Sequence, residues 1–143
     1  MALKIFKGFW FFSVVGLLLT FFYVYAGLPE WVTLSEEGTL TSIPKNSLFY
    51  LSIGAMAVIN TLVFIATRLP IQQKQDFKAW FYGLIITINL FFIASLGFLH
   101  VYNSGERYDY SGMAPAIYGS LFLVGAWIIS WPIYLLSQKI LAK

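Results

Sequence analysis

Apolar positions along this chain gather into four long runs, separated by short polar connections. The runs cover 5–26, 47–67, 79–101 and 113–137, and each reaches the ~20 residues that a helix needs to cross a hydrocarbon core. They predict an all-α membrane protein, with residues 1–143 forming a single four-helix transmembrane domain. Lys4 and Lys7 give the first run a basic start, as in a signal peptide. That run, however, exceeds the ~7–15 residues of a signal core and no small-x-small cleavage site follows it, so it reads as a span.

The first connection has a pattern of its own. "WVTL" and "TLTSI" are β-branched and apolar, and "SEEG" lies between them. Glu36-Glu37-Gly38 suits a three-residue connection, a type I turn closed by a glycine bulge. The pattern predicts a short β-hairpin over Trp31–Ile43. Two strands alone are marginal in water, so the hairpin must rest on helix ends, lipid headgroups or a partner. Trp31, Leu34, Glu36, Glu37 and Leu40 are the candidate partner contacts.

Prolines and small residues shape the fourth run. Pro115 falls in its first turn, where the missing N–H costs nothing. Pro132 is expected to bend the helix or end its regular hydrogen bonding. Ala116/Ser120 and Ala126/Ser130 are spaced for close helix contact.

Composition agrees with lipid as the solvent: 59% of residues are apolar and only 10% are charged. Lysine and arginine add a direction. Lys4, Lys7, Arg68, Lys74, Lys78, Lys139 and Lys143 flank one side, and only Lys45 and Arg107 the other. The positive-inside rule then puts both termini and the second connection in the cytoplasm, with the hairpin outside. Aromatics mark the same boundaries, with Phe9, Trp10, Trp80, Phe81 and Tyr82 inside and Tyr23, Tyr25, Trp31, Tyr102, Tyr108 and Tyr110 outside. The basic clusters sit at membrane ends rather than on a soluble face, so they are no nucleic-acid footprint.

Chemistry is sparse. With no cysteine there are no disulfides, thiolate metal sites or redox thiols. No Asp, Glu, Lys or Arg lies mid-span, so the intramembrane ionisable group that ion-coupled transport usually needs is missing. Small multidrug exporters resemble the chain only in size and helix count. Asn60 and Asn89 lie near the middle of antiparallel neighbours and form a candidate intramembrane polar pair. His100, the only histidine, is at the outer end of the third helix, where water, headgroups or Glu106 can bond it. There is no phosphate loop, HExxH motif or nucleophile with a histidine base, and no cofactor is expected.

The residues Leu28, Pro29, Glu30, Gly38 and Lys45, followed by "SLFYLSIGAMAVINTLVF", carry a resemblance. The first loop and second helix are similar to those of a bacterial membrane domain of unknown function found at the N-terminus of SdpI-type immunity proteins. That family commonly has a histidine in this loop, where this chain has Leu34 or Ser35. The resemblance implies a bacterial cytoplasmic-membrane protein and a role in toxin immunity or envelope sensing. Together these features predict a non-enzymatic inner-membrane accessory subunit. Its partners are the lipid bilayer and other membrane or extracytoplasmic proteins, or further copies of itself. A small transporter or lipid-handling protein built on Asn60 and Asn89 is the alternative.

Overall fold

The computed structural model describes residues 2–34, 42–69, 74–105 and 112–141. It contains four helices, α1 (Ala2–Gly27), α2 (Lys45–Ala66), α3 (Lys74–Asn103) and α4 (Ala114–Leu141), all long and apolar enough to cross a membrane. Two short strands, β1 (Trp31–Thr33) and β2 (Ser42–Pro44), pair antiparallel between α1 and α2. Two of the helices, α1 and α3, run past both ends of their apolar runs, α3 through polar residues such as Lys74, Gln75 and Asp76. The backbone ladder persists where hydropathy has already fallen.

Each helix end has a local cause. Pro29 disfavours helical backbone at the residue before it, and Leu28 makes the last bond of α1, its N–H donating to Val24 O at 3.1 Å. Pro44 sets the extended backbone that starts α2 and offers no side-chain cap. One unpaired N–H of the first turn is taken up instead by the hairpin: Lys45 N–H donates to Glu30 O at 2.8 Å. Asp76, in the first turn of α3, suits the positive end of that helix. Of the two outcomes expected at Pro132, an end to the helix is not the one seen: α4 continues through it to Leu141. Only one helical bond requires the missing N–H, and the turns on either side keep theirs.

The central helix is α3, which packs against α1, α2 and α4. On α1 the buried residues Ser13, Leu17, Phe21 and Val24 recur every three or four positions and so share one face. Leu17, Phe21 and Val24 meet Met56, Leu96, Leu28 and Val32 in one apolar cluster at the hairpin end. A second cluster, Val63, Tyr82 and Ile85, fills the opposite end. Buried polar residues, Ser13 and Asn89, lie between the two. No residue of α4 is buried, and that helix rests on the outside of α3.

The α3–α4 contact is narrow and specific. Trp80 Nε1 donates to Trp127 O at 2.9 Å, and Trp127 Nε1 donates back to Trp80 O at 2.9 Å. Ser130 Oγ accepts a further bond from Trp80 Nε1 at 3.0 Å. Such close approach requires glycine on α3, since a Cβ at Gly83 would lie 2.2 Å from Trp127 Cζ2. Of the small residues spaced for close helix contact, Ala116 and Ala126 are exposed, Ser120 is half-buried, and Ser130 joins the α3–α4 contact through its hydroxyl.

Candidate interaction site

The hairpin is pinned to the bundle by side chains from both sides. Asn103, in the last turn of α3, acts as a third strand in miniature. Its Oδ1 accepts from Thr33 N–H at 2.8 Å, and its Nδ2 donates to Thr33 O at 3.1 Å. A further bond from Nδ2 to Leu99 O at 2.9 Å fixes the amide to its own helix. On the other side, Lys45 Nζ donates to Leu28 O at 2.8 Å and lies 4.6 Å from the centre of the Tyr25 ring. Tyr25 Oη in turn donates to Asn46 Oδ1 at 3.2 Å. Lys45 thus clasps the loop, whereas sequence suggested only an outer-side charge.

Beneath this frame Val32 is fully buried and Ile43 packs on the same cluster. Above it Trp31 is 62% exposed and Leu34 46% exposed. Of the five candidate contacts, these two are therefore presented outward. Glu36, Glu37 and Leu40 lie outside the described residues, as does the tip glycine, Gly38. Beside Trp31, a surface cavity of about 490 Å³ is lined by Tyr25, Glu30, Pro44, Lys45 and Asn46. No family model, curated protein or solved structure matches this chain. Function must be argued from these contacts.

Asn60 and Asn89 are brought together in a reciprocal amide pair. Asn60 Nδ2 donates to Asn89 Oδ1 at 3.1 Å, and Asn89 Nδ2 donates to Asn60 Oδ1 at 3.0 Å. The remaining amide hydrogens reach Met56 O at 3.0 Å and Ser13 Oγ at 2.9 Å. Trp10 Nε1 also donates to Asn60 Oδ1, at 3.0 Å, and Ser13 Oγ donates to Trp10 O at 2.8 Å. All four amide hydrogens are therefore committed inside the protein. A transported ion or solute would have to displace these bonds, and the cluster reads as a tie between α1, α2 and α3.

Sequence reasoning missed two members of that cluster. Ser13 looked like any small polar residue in an apolar run, and Trp10 like part of a boundary belt. Its ring instead packs edge-on against Tyr82 at 5.6 Å and Phe64 at 6.1 Å. Asn103 was missed as well, although an asparagine at the end of a span, opposite a predicted strand, is the signal that marks it. His100 sits in the last turn of α3. Its ring lies 5.3 Å from Tyr23, and its Nδ1 is buried with no hydrogen-bond partner among the described residues. The ring fits because residue 27 is glycine, where a Cβ would come within 2.4 Å of His100 Cε1. Glu106, its expected partner, lies outside the described residues.

Replacing Asn103 by leucine is expected to free β1 while leaving the helices intact. Three side-chain hydrogen bonds are lost, at about 0.5–1.5 kcal/mol each. Limited proteolysis should then cut between residues 30 and 45 at least about tenfold faster, with unchanged helical circular dichroism. Unchanged cleavage would show that Asn103 does not hold the strand.

Proposed function

We propose that this chain is a non-enzymatic, multi-pass membrane protein that binds other proteins through its clamped hairpin. One observation carries the reading: Trp31 and Leu34 stand exposed on a backbone fixed from both sides. Exposing a tryptophan on a rigid frame loses little side-chain entropy when a partner covers it. Tryptophan is also the residue type most enriched among binding hot spots. The hairpin lies outside a bacterial cytoplasmic membrane and both termini lie inside. This placement follows from the lysine and arginine distribution and from the resemblance to the SdpI-type N-terminal domain. A transporter centred on Asn60 and Asn89 is disfavoured because their donors are already bonded.

The test is photo-crosslinking in native membranes from a probe at position 31 or 34, with position 122 as a lipid-facing control. Phe122 is 77% exposed on α4, far along the chain from the hairpin. A protein adduct specific to 31 and 34 is expected. Trp31→Ala should reduce recovery of that protein at least about tenfold, the size of a hot-spot loss, without lowering the melting temperature. Identical adduct patterns at 31 and 122 would defeat the proposal.

A further inference from the structure

At the end of the bundle away from the hairpin, α1, α3 and α4 border an open surface cavity of about 370 Å³. That volume is within the about 300–1,000 Å³ usual for small-molecule sites. Its walls include Phe6, Trp80, Trp127, Trp131 and Tyr134, with one charged group, Asp76. Trp131 lies 5.4 Å from Trp80 and 5.4 Å from Tyr134, and Phe6 meets Trp127 edge-on at 5.9 Å. The Trp80 and Trp127 N–H groups are spent on the α3–α4 contact, so these rings offer the cavity their π surfaces. Tyr134 Oη donates to Asp76 Oδ2 at 2.8 Å, which leaves Oδ1 without a partner among the described residues.

Aromatic faces and a carboxylate oxygen both attract positive charge, and the lining contains no lysine or arginine to satisfy them. We propose that this cavity binds the ammonium group of a zwitterionic membrane phospholipid. The helix dipole suits Asp76 at the start of α3 and the membrane boundary suits Trp80; the cavity adds that five rings and this carboxylate line one space. The lipid source follows from charge. Lys4, Lys7, Lys78 and Lys139 belong to the same helix ends. Their field repels a bare cation and favours a ligand whose phosphate accompanies its ammonium. The inference rests on the membrane reading above but not on any protein partner.

Isothermal titration of the full chain in maltoside detergent tests it, with dihexanoyl phosphatidylethanolamine as the probe. A saturable isotherm is expected for that lipid and none for dihexanoyl phosphatidylglycerol, which lacks the ammonium. Asp76→Asn and Trp131→Leu should each weaken binding about fivefold or more, and Trp131→Phe less, following the strength of the ring quadrupole. Tyr134→Phe, which removes only the hydroxyl competing for Asp76, should bind at least as tightly as the parent. That variant keeps the test decisive should Asp76→Asn not fold. Equal binding of both lipids, or wild-type affinity in Trp131→Leu, would overturn the ammonium site. Saturation by free ethanolamine at the same concentration would overturn the lipid assignment. A failed partner crosslink at Trp31 would leave these measurements unaffected.

Discussion

Replacing Gly83 by valine is expected to unseat the fourth helix. With no buried residue of its own, α4 depends on its packing along α3. The reciprocal Trp80–Trp127 bonds are central to it, and they require the indole to lie where the first side-chain carbon at position 83 would be. Trp127 cannot step aside cheaply, since its N–H is bonded and its ring is packed against Phe6. Overpacking costs about 1–3 kcal/mol and each lost hydrogen bond about 0.5–1.5, giving about 3 kcal/mol together. Thermal melting in detergent should fall accordingly. Combining the substitution with Trp127→Ala should be no worse than Trp127→Ala alone, because the clash is then gone. Additive losses would show that position 83 acts through something other than this ring.

The second large effect is expected at Asn89, which is fully buried. Asn89→Leu keeps the side-chain bulk but strands one hydrogen of the Asn60 amide and removes the donor to Ser13. Burying an amide hydrogen without an acceptor costs about 1–3 kcal/mol, more than the ~0.6 kcal/mol that such bonds average in membrane proteins. The single substitution should therefore lower the unfolding free energy in mixed micelles by about 2 kcal/mol. Adding Asn60→Leu removes the stranded amide but takes the acceptor from Trp10 Nε1, so the double substitution should cost about as much as one change and well short of two independent losses. If the two losses simply add, the amides do not act as a pair.

How much of this was legible in the sequence varies with the kind of residue. The four helices could be read because each apolar run is longer than any soluble alternative needs. Asn60 and Asn89 stood out because an amide in the middle of such a run is rare. Which face of each helix is buried could not be read, since Leu17 and Leu19 are chemically alike and only one turns inward. For the same reason the Gly83–Trp127 fit was invisible: it requires two particular faces to meet across 44 residues of chain. Lys45 was visible as a charge, but its role depends on a carbonyl, Leu28 O, that every residue possesses. The candidate site was therefore half legible. Its location followed from the β-branched pattern, and the frame that fixes it did not.

That frame also decides how the hairpin recruits anything. Thr33 faces outward from the ladder with its N–H and C=O already taken by Asn103. On the opposite edge Pro44, paired with Trp31 in the register, has no N–H to give. Neither margin can readily template another chain's backbone, so copies of this protein are guarded against polymerising through it. Under the proposed function, a partner would then read side chains rather than add a strand, and the shape around one indole ring would set its selectivity.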